Sequence, residues 1–287
     1  MSLNCSFNIK VENITDIIGK DTFKNLTQEE CESVITQLMS SYNLTQEALL
    51  DNKYKSDIIA AIKRGREEAN KAALANIETE MQQILENAPR DSEGNLLAPN
   101  GKKSNLTERQ YAQVRTKAFK DWFGDWENDP TNASKVVDEN GEPLVVYRAG
   151  EINKDGTLRT SYEAYYFAPS KSYAEQYEKQ YAEQENIFIH SFFLKANSIN
   201  NIVNGARPII RSDGKKVSKR GLFGMPWSKE DVNIILEGKE AAYSDGEYLI
   251  PNSNQIKSAI DNTGAFSSTN DRIDRFGEGK KSDIINK

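Results

Sequence analysis

A chain of 287 residues, 37% hydrophobic and 28% charged with a net charge of -6, has room for a sizeable core in one large domain or two small ones. Its acids and bases are interspersed, which argues against a surface built throughout to neutralise nucleic-acid phosphates. Two cysteines and a single histidine exclude a disulfide framework and a cysteine-rich metal site, and they argue against zinc chemistry.

No apolar run approaches the roughly 18 residues of a membrane span, and the N-terminus lacks a basic-then-apolar signal pattern. The expected setting is a reducing cytoplasm, of a bacterium or of a cell into which the protein is delivered, without membrane contact.

Residues 27–88 read as helical. Thr27 and Glu30 form a capping box, followed by Cys31, Val34, Ile35, Leu38 and Met39 at the three-four spacing of one apolar face. A longer helix is expected from Ser56, carrying Ile58, Ile59 and Ile62 early and Leu74, Ile77, Met81, Ile84 and Leu85 late, with Gly65 as a weak point. Residues 1–88 are therefore expected to form a helical domain. Over 89–104 the sequence PRDSEGNLLAPNGKKS has no sustained period and reads as a linker.

Thr107 and Gln110 form another capping box, and Tyr111, Val114, Ala118, Phe119, Trp122 and Phe123 line one face of a single helix ending at Gly124. Trp122 and Trp126 at this spacing read as core rather than as a base-stacking platform. Residues 135–147 predict a hairpin with Asn140-Gly141 in the turn. Tyr165–Phe167 predicts a short strand, Ser170 opens a helix carrying Tyr173, Tyr177 and Tyr181, and residues 187–195 alternate like a strand, with His190 on the side of Phe188, Phe192 and Leu194 as a core residue. The basic run within 207–227 reads as a solvated loop. Ser228 and Asp231 start a short helix; a strand opening at Glu247, a strand over 255–260 and a frayed tail over 274–287 complete the chain. The order predicts an α+β protein: a helical domain, then an α+β domain over 105–273 with few helices, not a doubly wound parallel sheet.

Two stretches carry the chemistry. Residues 142–150, EPLVVYRAG, form a Pro-bounded run of β-branched and aromatic residues that delivers Arg148 at a strand end, where Gly150 lets a ligand approach the backbone. Residues 245–251, DGEYLIP, start a second strand with Glu247. Nucleophilic catalysis by Ser or Cys lacks a histidine base, and neither a P-loop nor a Rossmann glycine pattern is present. What is left is positioning and electrostatics: an Arg for phosphates and a carboxylate facing a developing cationic sugar, as cleavage of a ribose–nicotinamide bond requires.

At these residues the chain resembles the ADP-ribosyltransferases found in polyvalent proteins of bacteriophages and related mobile elements. The resemblance runs from about Asn105 to Ile273 and rests on AFKDWFGDWEN, SKVVDENGEPLVVYRAG, YYFAPSKSYAEQY and EYLIPNSNQIKSAIDNTGAF in that order. It implies a split β-sandwich holding NAD in a cleft, with NAD consumed as substrate and no metal.

Of the three strand positions that carry the family's chemistry, the first is Arg148, as in the arginine branch. The second is Tyr166, as in the histidine branch, where it stacks on nicotinamide. The third is Glu247, the catalytic glutamate. The resemblance further implies NAD contacts by Tyr147 and Gly150 beside Arg148, an acceptor-orienting role for Asp245 two residues before Glu247, and target contacts by Tyr243. The expected activity is NAD-dependent mono-ADP-ribosyl transfer to a macromolecule, protein or nucleic acid. The alternatives are a NAD glycohydrolase toxin or a degenerate fold serving as a binding module.

Overall fold

The computed structural model describes residues 8–23, 26–153, 156–160, 163–180, 187–202, 209, 210, 214, 216, 217, 228–244, 246–260, 262, 266 and 273. It resolves into two compact units, Met1–Ala75 and Asn76–Lys287.

In the first unit, helices α1 (Val11–Ile18), α2 (Gln28–Tyr42), α3 (Gln46–Leu49) and the first turns of α4 (Lys55–Glu86) enclose one apolar cluster. The Thr27 and Glu30 capping box forms as expected, each side chain bonding the other's backbone N–H. Cys31, Val34, Ile35 and Leu38 are buried against Ile58 and Ile62. Asn43, in the left-handed region at φ 53°, stops α2. Helix α4 runs unbroken through Gly65, the expected weak point. The roughly 1 kcal/mol that an interior helical glycine costs is offset by burial of its apolar neighbours.

The second unit begins inside α4, whose last turns bring Ile84 and Leu85 onto the apolar cluster that holds Tyr111, Phe119 and Trp122. The linker expected over 89–104 is corrected. Bridges Arg90–Leu96 and Leu97–Lys103 make two tight turns, with Gly94 and Gly101 at positive φ. Leu96 and Ala98 are buried, and the Tyr111 hydroxyl donates to the Leu97 carbonyl at 3.0 Å.

The single helix expected up to Gly124 is two, α5 (Glu108–Gln113) and α6 (Lys117–Phe123), because Thr116 caps a new start by accepting from Phe119 N–H. At the bend Arg115 lies 3.4 Å over the Tyr111 ring and pairs with Glu127 at 3.0 Å and with the fully buried Glu142 at 2.9 Å. Gly124 is required after α6: its φ is +100°, and a Cβ there would stand 2.4 Å from Ala133 Cα. Trp122 and Trp126 are core, their indole N–H groups satisfied by the Asn254 and Val114 carbonyls.

Strands follow. β1 (Val146–Gly150), β3 (Phe188–Leu194) and β9 (Ile256–Ser258) form one antiparallel sheet in the order β1-β3-β9. β2 (Tyr165–Phe167), β8 (Glu247–Ile250), β7 (Ala241–Ser244) and β4 (Ile199–Asn201) form a second, in the order β2-β8-β7-β4. Phe192 and Val146 of the first sheet and Phe167 and Ile250 of the second share one buried cluster, with the Phe167 and Phe192 rings edge to face at 5.3 Å.

Helices α7 (Lys171–Gln180) and α8 (Lys229–Leu236) lie among the strands; α8 opens on the expected Ser228 and Asp231 box. The chain is mixed α+β, as its element order implies. Of the basic run, β5 (Ile209–Ile210) and β6 (Lys216–Val217) pair antiparallel; its other residues save Gly214, Tyr181 and the tail over 274–287 lie outside the described residues. Among the described residues no helix is long and apolar enough to cross a membrane, and no three or more His, Cys, Asp or Glu side chains are grouped to hold a metal ion.

Candidate functional site

Three of the expected site residues stand on strands that neighbour one another. Tyr147 N–H donates to the Ala168 carbonyl at 2.7 Å and Ala168 N–H returns the bond at 2.9 Å, so a single bridge joins β1 of one sheet to the end of β2 of the other. Extending the register that pairs Phe167 with Tyr248 brings Ala168 level with Glu247. Tyr147, Ala168 and Glu247 therefore fall in one row across β1, β2 and β8, with β1 and β8 two interstrand steps, about 10 Å, apart.

Side chains alternate along a strand, so Arg148 shares its face with Val146 and Gly150 and turns away from Tyr147. The cofactor-binding set expected on β1 thus divides, Arg148 and Gly150 on one face and Tyr147 on the other. Arg148 Nη1 donates to the Tyr166 carbonyl oxygen at 3.1 Å, and its guanidinium lies 6.0 Å from the Phe167 ring centroid. A Cβ added to Gly150 would rest 3.5 Å from Arg148 Nε, in ordinary van der Waals contact with the guanidinium. Burial raises the Tyr147 hydroxyl above the ordinary tyrosine range.

On the second sheet Tyr166 pairs with Leu249 in register and packs with it, Val232 and Leu236 of α8, and Ala242. Glu247 lies two residues before Leu249 and so points to that same face, only 6% exposed, with Ser244 as its ladder partner. Tyr166 and Glu247 thus share one face, and Arg148 reaches the backbone of the strand that carries Tyr166.

Tyr243 is elsewhere. It pairs with Tyr248, its ring 4.7 Å away, on the opposite face of the sheet from Glu247. Burial, with Tyr243 adding to it, pushes the Tyr248 hydroxyl up to about 12, so that phenol stays neutral. Asp245, the expected acceptor-orienting residue, lies outside the described residues.

His190 stands directly across the ladder from Arg148, on the same face. Its ring is 6.2 Å from that of Phe192, and burial holds its pKa below the ordinary histidine range, a hydrogen bond to the Gly150 backbone partly opposing this. Its Nε2 is shielded from solvent and has no hydrogen-bond partner among the described residues, an arrangement that costs about 1–3 kcal/mol for a buried polar atom. Alternation in the sequence puts His190 on the side of Phe192, which the ladder bears out. Its proximity to Arg148 is a matter of long-range register, with no local signal. Lys257, fully buried on β9 opposite Phe193, was likewise not singled out by its sequence context.

The side chains divide between two faces: Arg148, with the neutral His190 imidazole beside it, turns away from Tyr147, whereas the nearly buried Glu247 shares the face of Ala168 and Tyr166. A fixed cation with a neutral imidazole beside it can bind an anionic ligand, and a nearly buried carboxylate can stabilise positive charge. Against protein-family models, curated proteins and solved structures, the chain matches none.

Proposed function

We propose that this chain is a NAD-dependent mono-ADP-ribosyltransferase whose fold is the split β-sandwich of that class. The observation that carries the reading is the sharing of one sheet face by Tyr166 and Glu247, with Arg148 bonded to the Tyr166 carbonyl from the adjoining strand. In this reading Arg148 holds the pyrophosphate and Tyr166 stacks on the nicotinamide ring. As the bond from ribose C1′ to the nicotinamide nitrogen breaks, its electron pair leaves with neutral nicotinamide and positive charge appears on the ribose. Glu247 stabilises that charge and holds a ribose hydroxyl. The acceptor's nucleophilic atom then bonds to C1′ and loses its proton to solvent, with Asp245 orienting it.

A second reading, NAD glycohydrolase, is favoured by one observation. Tyr243, the aromatic expected to contact a macromolecular target, turns to the face opposite Glu247, which leaves water as the simplest acceptor. Incubation of the chain with labelled NAD and a cell lysate separates the outcomes. Label on macromolecules means transfer, free labelled ADP-ribose means hydrolysis, and neither product means a binding module or no NAD chemistry at all. In the transferase, Asp245→Ala is expected to reduce transfer while sparing hydrolysis; equal loss of both assigns Asp245 to the NAD site.

A further inference from the structure

We propose that His190 belongs to the ligand site, its Nε2 taking a hydrogen bond with a ribose hydroxyl of the dinucleotide whose pyrophosphate Arg148 holds. This rests on the reading of the site as a NAD site, and it adds a binding residue from a strand, β3, that the sequence motifs do not include.

Geometry carries the argument. Arg148 and His190 are direct cross-strand partners with side chains on one face, so their Cβ atoms are about 5 Å apart and serve adjacent groups of one ligand. The His190 ring is held against Phe192 and the Gly150 backbone, yet Nε2 has no partner among the described residues. A shielded nitrogen with no partner among the described residues, directly across the ladder from a cation, is a polar position suited to a ligand group.

Charge then selects the group. Arg148 supplies the positive charge that a pyrophosphate needs. Burial keeps His190 neutral at physiological pH, so its match is a neutral polar group. A hydroxyl both donates and accepts, and it suits Nε2 in either tautomer. In a dinucleotide the ribose hydroxyls are the neutral groups nearest the pyrophosphate.

His190 is the chain's sole histidine, so the ring nitrogens of the full-length protein can be followed by NMR after labelling with ring-15N histidine, with no assignment step. Saturating NAD or ADP-ribose is expected to shift the Nε2 resonance.

Two variants supply the second measurement, NAD affinity by calorimetry, with thermal unfolding as the check on folding. Gln reaches the position of Nε2, whereas Asn reaches only that of Nδ1. His190→Gln is expected to stay within about 3-fold of the parent affinity and His190→Asn to lose about 10-fold, the worth of one hydrogen bond. The reverse order, with Asn tolerated and Gln not, means the ring only packs and bonds Gly150, and it overturns the proposal. So does a resonance that stays still while calorimetry shows saturable NAD binding, which leaves the NAD reading standing. Absence of saturable binding of either NAD or ADP-ribose to the parent protein overturns both.

Discussion

Arg148 Nη1 donates to the carbonyl oxygen of Tyr166 at 3.1 Å, so the cation of one sheet is oriented by the backbone of the other. A carbonyl fixes the plane of the guanidinium. Arg148→Ala is expected to weaken NAD binding by about 10- to 100-fold, the worth of a charge-assisted hydrogen bond. Arg148→Lys keeps a point charge without the fork and should lose less. Calorimetric titration checks this, and equal affinity in the two variants would make Arg148 a structural tie between sheets.

Glu247 is 6% exposed and opens β8, a strand fixed on both sides by β2 and β7. A carboxylate so held pays no reorganisation when positive charge develops beside it. Glu247→Gln preserves shape and removes charge, so NAD binding should survive while turnover falls by about 10²- to 10³-fold, the worth of one preorganised electrostatic group. Nicotinamide release under saturating NAD is the measurement, and unchanged turnover would remove Glu247 from the chemistry.

What was legible in the sequence divides by range. The capping boxes at Thr27, Thr107 and Ser228 were readable because each is a bond between a residue and its third neighbour. The alternation of β3 was readable for the same reason. The break between α5 and α6 was not, because the apolar face continues across it. What bends the chain is Thr116 with the ion pairs of Arg115, one of them to Glu142, 27 residues away. The turns over 89–104 look like a linker because their composition is that of any solvated loop, and only the burial of Leu96, Ala98 and Ser104, with the bonds from Tyr111 to the Leu97 carbonyl and from Ser104 to Glu142, shows otherwise. At the site, motifs named Arg148, Tyr166 and Glu247 singly. Their adjacency, and that of His190, comes from strand register, which links residues some 20 to 100 positions apart and leaves no local trace.

The corrected boundary has a direct test. A fragment beginning at Asn76 keeps the end of α4 and both turns, and it is expected to be soluble with one cooperative unfolding transition. A fragment beginning at Asn105 loses Leu96 from the core, the Leu97 carbonyl that bonds Tyr111, and the Ser104 hydroxyl that bonds the buried Glu142. Loss of one buried leucine alone costs about 2–5 kcal/mol, and each kcal/mol lowers Tm by about 2–4 °C at this size. The shorter fragment should therefore melt at least about 4 °C lower or aggregate. Equal Tm values would mean that 89–104 contributes nothing to the core.

Acid should act on the helical unit through Glu30. This residue reaches back to Thr27 N–H at 2.8 Å and accepts from Arg66 Nε at 2.6 Å and Nη2 at 3.1 Å. The Arg66 hydrogen bond is the main cause that holds its pKa below the ordinary carboxylate value; partial burial opposes it and the Thr27 backbone reinforces it. A carboxyl depressed in the folded state binds fewer protons there than in the unfolded chain. Its contribution is then fully present above the ordinary carboxylate value and is lost as pH falls through the lower, folded one. Both side chains are about a third exposed, so the solvent-screened pair contributes about 0.5–1 kcal/mol at neutral pH. Glu30→Gln keeps the reach-back bond of the capping box and removes the charge. Urea unfolding of the helical unit in the full chain, followed by circular dichroism, should show parent and variant separated by that amount at neutral pH and converging as the pH falls through the lowered folded value, below the ordinary carboxylate range. A gap that persists unchanged in acid would mean that Glu30 acts through packing and hydrogen-bond geometry, with its charge irrelevant.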